Sequence, residues 1–190
     1  MVRIITGSKK GKKLLTPEGE ATRPTSERIK GAMFSSIQFD IEDRRVLDLF
    51  AGSGQLGFEA LSRGAESVTF VESDRDTMEI VKKNAKSLDF FDRCRFSVAD
   101  YRNYIRKASG RDKFDLVFID PPYAMECCAE AVKRLADSEL IIPGAIIVLE
   151  SGNETIDRDS EIFSDFEFVK STEYGKKTTL NILIYKGSEK

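Results

Sequence analysis

The chain of 190 residues has no histidine and no tryptophan, and its three cysteines form no CxxC pair. Without histidine, and with cysteine only at Cys94, Cys127 and Cys128, a structural zinc site lacks its usual ligands, and no metal is expected. The same absence excludes Ser-His-Asp and Cys-His nucleophilic chemistry. A mechanism remains in which a reactive cofactor carries the difficult step. Cys127 and Cys128 fall in a helical stretch and read as small apolar fillers. No run of about 18 apolar residues is present, so no membrane-spanning helix is expected. The opening MVRIITGSKKGKK lacks the apolar core of a secretory signal, and a cytoplasmic location is the expectation. Repeats and low-complexity segments are also absent.

What the chain does contain is 41% hydrophobic and 33% charged residues, enough for a real core in one domain of ordinary size. The net charge of −2 hides an asymmetry. Residues 1–30 hold eight basic side chains (Arg3, Lys9, Lys10, Lys12, Lys13, Arg23, Arg28, Lys30) against Glu18, Glu20 and Glu27, a surplus of five that leaves −7 for the remainder. A basic front on an acidic body suits a polyanion docking at one face, although a solvated terminus would look the same.

VRIIT (2–6) and KKLLT (12–16) flank GSKKG as a short hairpin with glycine turns. PEGEATRPT is a connector, and Thr25 or Ser26 can cap a helix whose apolar positions run from Ile29 to Ile37. From Arg45 onward strands alternate with helices. Strands are expected at 46–50, 67–72, 94–100, 114–120 and 145–150, with helices near 55–62, 75–88, 101–108 and 126–137. Two strand-like runs, 165–174 and 178–186, joined by GKK, suggest an antiparallel pair. Continuous apolar strands between helices imply a parallel sheet covered on both faces. The expectation is a doubly wound, Rossmann-like α/β sheet ending in an antiparallel hairpin, with residues 1–44 as a small hairpin and helix extension and residues 45–190 as the main domain.

Two sites carry chemistry. In the first, Asp48 through Gly57, a strand turns into a helix through glycines, and Gly52, Gly54 and Gly57 match GxGxxG. Phe50 and Ser53 lie within it, and Glu72 with Ser73 ends the next strand, where a carboxylate can accept ribose hydroxyls. A dinucleotide would place its pyrophosphate on the helix N-terminus. S-adenosylmethionine would instead set its ammonium toward Asp48, an acid that helps an ammonium and hinders a phosphate. Asp100, with Tyr101 beside it, could reach an adenine amino group or simply cap the following helix.

The second site is Asp120-Pro121-Pro122-Tyr123, directly after the fourth strand. An exocyclic amine on a base is a poor nucleophile because its lone pair is delocalised into the ring. Acceptors around its hydrogens favour a pyramidal nitrogen and aim the lone pair at a methyl carbon. Asp120 can supply a carboxylate oxygen and Pro121 a carbonyl with no competing NH of its own. Tyr123 offers a stacking ring worth roughly 1–3 kcal/mol. Because the base must leave its stack to reach such a pocket, the target would be extruded.

A glycine loop after the first strand and DPPY after the fourth resembles the amino-methyltransferases that act on adenine N6, cytosine N4 or guanine N2. The segments RIITGSKKGKKL, ATRPTSERIKGAMF, VLDLFAGSGQLGFEALSRGA, FVE, DPPY and YGKKTTLNILIYK together resemble the bacterial RsmD-type family, across essentially the whole chain. That resemblance implies a class I S-adenosylmethionine-dependent methyltransferase fold. Its implied activity is methylation of guanine N2, named for guanine 966, in the 16S ribosomal RNA of the small subunit or its assembly intermediate. It also implies that Arg23, Thr25 and Arg28 sit over the cofactor and target-base pocket, and that Lys9, Lys10, Lys12 and Lys13 touch RNA phosphate. Glu27 stands where the family pattern has aspartate, and Gly31 where it has an acid. The glycine is expected to weaken its helix by roughly 1 kcal/mol. Three other readings compete: DNA adenine or cytosine methylation, a nicotinamide-dependent oxidoreductase, and a non-catalytic RNA-binding assembly factor. The first lacks a separate target-recognition domain, the second lacks a proton donor, and the third has no need of DPPY.

Overall fold

The computed structural model describes residues 2–17, 27–122, 124–175 and 178–187. Helix α1 (Glu27–Ser36) precedes an alternation of β1 (Arg45–Asp48), α2 (Gln55–Ser62), β2 (Ser67–Glu72), α3 (Arg75–Ser87), β3 (Cys94–Val98), α4 (Tyr101–Ala108), β4 (Phe114–Ile119), α5 (Cys128–Asp137) and β5 (Ile141–Ser151). Two further strands, β6 (Phe166–Tyr174) and β7 (Thr178–Tyr185), close the chain. The strand order is β3-β2-β1-β4-β5-β7-β6. The first five strands pair in parallel, and β7 runs antiparallel between β5 and β6. This is the doubly wound α/β sheet with an antiparallel C-terminal hairpin.

Strand residues alternate between two apolar clusters, as the two-residue period requires. Val46, Phe70, Phe118 and Val148 face α1, α2 and α3, whereas Leu47, Val71, Val117 and Leu149 face α4 and α5. Helix α3 shows why such a segment docks. Its buried residues Thr77, Met78, Val81, Asn84 and Ala85 form one stripe, and the Asp74 carboxylate accepts the Thr77 amide at 2.7 Å to start the helix.

Several boundaries differ from expectation, among them that of β5, which begins at Ile141 and not at residue 145. Strand β1 ends at Asp48 because glycines follow closely, and β3 ends at Val98. Asp100 accepts the Arg102 amide at 2.9 Å and caps α4 instead of extending the strand. The front hairpin is reduced to one bridge, Arg3 with Lys13, flanked by bonds from the Ile4 amide to the Lys12 carbonyl and from the Leu14 amide to the Val2 carbonyl, each 2.9 Å. The expected caps Thr25 and Ser26, much of the PEGEATRPT connector, and Lys176 and Lys177 of the GKK joint lie outside the described residues.

The hairpin is bolted to α2. Glu59, with no exposed surface, accepts the Ile5 and Thr6 amides at 2.8 and 2.9 Å, and pairs with Arg63 at 2.9 Å and Lys30 at 3.5 Å. The Lys30 ammonium also donates to the Arg3 carbonyl at 2.6 Å. Burial pulls its pKa below the usual lysine value against the opposing pull of Glu59. Val2, Ile4, Leu14, Met33 and Phe34 share the apolar cluster of α2 and α3. Among the described residues, no helix is long and apolar enough to cross a membrane.

Candidate functional site

All parallel strands point their C-terminal ends to one edge, where ligands bind in sheets of this kind. Asp48 at the end of β1 is 1% exposed, and its Oδ2 accepts the Gly57 amide at 3.0 Å. Burial raises its pKa to about 7, the Gly57 bond opposes the rise, and the charges of Asp120 and Glu72 add to it. These three carboxylates stand at the C-terminal ends of β1, β2 and β4, neighbouring strands at one edge of the sheet. Glu72 in turn accepts the Gly52 amide at 3.0 Å and the Asp74 amide at 3.0 Å, with the Ser73 hydroxyl at 3.3 Å. The acid that reads the loop thus also shapes it.

The glycines are not equivalent. Gly52 has φ +52° and nothing within 4 Å of where a Cβ would stand, so its backbone is open to a ligand. At Gly57 a Cβ would overlap the buried Phe70 ring and lie 2.8 Å from Val68 Cγ1. That glycine lets α2 seat against β2. Phe50 packs on Tyr101 with ring centres 5.1 Å apart. Tyr101 itself is only 2% exposed, and its hydroxyl donates to Glu130 at 2.9 Å, which with burial raises its pKa. The structure thus places Tyr101 behind Phe50 and against α5, and places Asp100 as the cap of α4 at the same sheet edge.

Asp120 follows β4, with Pro121 buried and Pro122 exposed beyond it. The Pro122 carbonyl is taken by the Met125 amide at 2.8 Å, which turns the chain toward α5. There Glu154 accepts the Cys128 and Ala129 amides at 2.6 and 3.0 Å. A carboxylate from the loop after β5 therefore caps α5. Tyr123, Arg23 and Thr25 lie outside the described residues. Cys127 and Cys128 are buried fillers whose thiol pKa values are raised chiefly by burial. Among the described residues no group of three or more Cys, Asp or Glu could hold a metal ion.

The basic residues do not all reach this edge. Lys10, Lys12, Lys13 and Arg28 are exposed, whereas Lys9 pairs with Asp89 at 3.1 Å and lies over the Phe90 ring. The GSKKG turn rests on Ser62, the last residue of α2, with the Ser8 amide bonded to its carbonyl at 2.7 Å. At 1.5 Å per residue, the eight residues of α2 separate this turn from the glycine loop by about 12 Å.

Two residues that sequence reasoning missed hold this arrangement. Glu59 anchors the hairpin, and Asn84, buried on α3, bonds to both Leu15 and the Ser53 carbonyl. Each is a polar residue inside an apolar helical stripe, which was the available signal. A cleft of about 710 Å³ also opens beside the end of β5, lined by Ser151, Asn153, Glu154, Arg158, Glu173 and Asn181. It holds none of the predicted site residues and lies over β5, β7 and β6, on the side of β5 away from β4.

The family model described as Conserved hypothetical protein 95 matches residues 2–183. The chain is 37% identical over 155 residues to a Haemophilus influenzae protein named ribosomal RNA small subunit methyltransferase D, covering 79% of this chain and 78% of that one. It is 33% identical over 186 residues to Bacillus subtilis YlbH, covering 97% and 98%. Among solved structures, Escherichia coli yhhF superimposes with a TM-score of 0.84 at 27% identity, covering 98% of this chain and 99% of that one.

Proposed function

The chain belongs to this family, the RsmD-type methyltransferases of ribosomal RNA, and from that premise we propose that it transfers a methyl group from S-adenosylmethionine to the exocyclic N2 of guanine 966 in the 16S RNA of the small ribosomal subunit. The observation that carries the cofactor reading is the meeting of Asp48, Glu72 and Asp120 at one sheet edge. These acids suit a ligand bearing a sulfonium and an ammonium, whose positive charge favours the ionised form of Asp48, and they oppose a pyrophosphate, which argues against a nicotinamide dinucleotide. The open space at Gly52 fits the same ligand.

In this reading Asp48 faces the ammonium, Glu72 with Ser73 takes the ribose hydroxyls, and Phe50 and Asp100 form the adenine side, with the buried Tyr101 supporting Phe50 from behind. S-adenosylmethionine, when bound, supplies a methyl group already activated by a sulfonium leaving group. Asp120 and the Pro121 carbonyl accept the amino hydrogens of the base and orient its lone pair, so positioning does most of the work. No strong base is needed, because the nitrogen proton becomes acidic once the new bond forms. Pro122 and Tyr123 complete the pocket wall, with Tyr123 stacking on the extruded base. Residues 1–44 act as the RNA-facing cap, with Arg23, Thr25 and Arg28 over the pocket and Lys9, Lys10, Lys12 and Lys13 toward phosphate. Residues 45–190 form the methyltransferase domain.

Labelled methyl transfer to unmethylated small subunits, free 16S RNA and duplex DNA, followed by nucleoside mass spectrometry, tests the reading. N2-methylguanosine formed mainly on the subunit is the expected product. Methyladenine or methylcytosine in DNA would keep the amine chemistry and overturn the target. S-adenosylhomocysteine should raise Tm while NAD leaves it unchanged.

A further inference from the structure

We propose that Asn84 is a positioning residue that couples the basic N-terminal hairpin to the glycine loop of the cofactor site, an inference that rests on the reading of that loop given above. Asn84 is 1% exposed on the inner face of α3. Its Oδ1 accepts the Leu15 amide at 2.8 Å, and its Nδ2 donates to the Leu15 carbonyl at 3.0 Å and to the Ser53 carbonyl at 3.0 Å. The paired bonds to Leu15 imitate a neighbouring strand, and the second amide hydrogen is left for Ser53. A carboxamide on a short stem is the side chain that offers an acceptor and two donors at one point. Aspartate would keep the acceptor and lose both donated bonds.

Both partners depend on this contact. Ser53 lies between Gly52 at φ +52° and Gly54 at φ +80°, and the Gly54 amide of the same peptide unit donates to the Ala51 carbonyl at 2.7 Å, which leaves the Ser53 carbonyl on the opposite side of that peptide plane. Asn84 fixes it, as Glu72 fixes the Gly52 amide. On the other side, the Leu15 side chain is exposed, and its segment is held by the buried Leu14 side chain and by the paired bonds from Asn84 to the Leu15 backbone. Leu15 directly follows Lys12, Lys13 and Leu14 on the return arm of the hairpin, and the chain runs on from there to Arg23 and Thr25. If either segment shifts, Asn84 is left with an unpaired polar group in the interior, which is unfavourable. Ordering of the glycine loop by a ligand therefore favours ordering of the RNA-facing segment, and the coupling is reciprocal.

Hydrogen exchange on the native protein tests this without any substitution. Adding S-adenosylhomocysteine should slow amide exchange at residues 50–57 and, with them, at residues 12–16, by about fivefold or more. Protection confined to residues 50–57 overturns the coupling while leaving the cofactor reading intact. No protection at either segment overturns both. Variants then assign the effect to the side chain. In the wild type, unmethylated small subunits should tighten S-adenosylhomocysteine binding by about fivefold or more. In Asn84→Ala and Asn84→Asp, each checked for folding by circular dichroism, that factor should fall to about one, with a smaller change in affinity without subunits. A variant that weakens binding equally with and without subunits would mark Asn84 as merely structural and sink the proposal.

Discussion

At the scale of the residue, Asp48 is held in a buried setting by one backbone bond while two other carboxylates press on it. Its pKa of about 7 means that the folded protein keeps a proton which the unfolded chain releases near pH 4. Between those values the folded state binds more protons, so this group makes stability fall as pH rises, by up to about 4 kcal/mol once pH exceeds 7. Asp48→Asn, whose side-chain oxygen can still accept the Gly57 amide, should therefore be more stable than the wild type in urea unfolding at pH 8. Below pH 4 the two should be equal, and S-adenosylhomocysteine should bind the variant less well. Parallel unfolding curves at all pH values would show that Asp48 is not protonated in this window. Asp120 has a different task. Asp120→Ala should abolish methyl transfer while S-adenosylhomocysteine still raises Tm, and near-wild-type turnover would remove Asp120 from the reaction. Both acids were legible because each ends an apolar strand beside a glycine or proline turn. Asn84 was not, because the partner that explains it, Leu15, lies 69 positions earlier. Tyr101 was legible as a neighbour of Asp100, but its hydroxyl partner Glu130 comes from a helix that spacing does not place.

Elements were read more easily than the contacts between them. The glycine pattern announced a strand-to-helix turn, yet the sequence treats Gly31 and Gly57 alike as glycines inside helices, and packing separates them. At Gly57 the overlapping ring of Phe70 is itself 4.7 Å from Phe58 and 6.0 Å from Phe96, centre to centre, and has little room to yield. The helix propensity gained by alanine, roughly 0.5–1 kcal/mol, is outweighed by overpacking of roughly 1–3 kcal/mol. Gly57→Ala should therefore lower Tm by several degrees. At Gly31 the nearest atom is Ile5 Cδ1 at 4.0 Å, an ordinary contact. Gly31→Ala should raise stability by roughly 0.5–1 kcal/mol, and thermal unfolding of the two variants side by side checks both signs. The two overestimated strands have the same origin. Apolar residues continue past Asp48 and Val98, and so do backbone bonds from the Leu49, Ala51 and Ala99 amides to the Phe118, Val71 and Glu72 carbonyls, but the glycine turn and the Asp100 cap then take the chain out of regular pairing.

Across the whole molecule, charge and distance separate docking from chemistry. The basic front carries a surplus of five charges on a body of −7, a distribution that in the proposed reading draws RNA to one flank. The GSKKG turn sits at the far end of α2, about 12 Å from the glycine loop, and so lies outside the pocket where a base would react. In the proposed reading the lysines of the basic front act on association and not on the chemical step. Lys12 and Lys13 are exposed on the return arm, whereas Lys9 is already paired with Asp89. Exchanging Lys12 and Lys13 for Glu should raise KM for the subunit and leave kcat within about twofold, because a contact made equally in ground and transition states changes binding alone. Each lost phosphate contact should also flatten the dependence of log affinity on log salt by about 0.7–0.9, so the double variant should differ in slope by about one to two. A fall in kcat at unchanged KM would move these lysines into the reacting complex. An unchanged salt slope would take them off the RNA surface and leave the asymmetry of charge without a docking role.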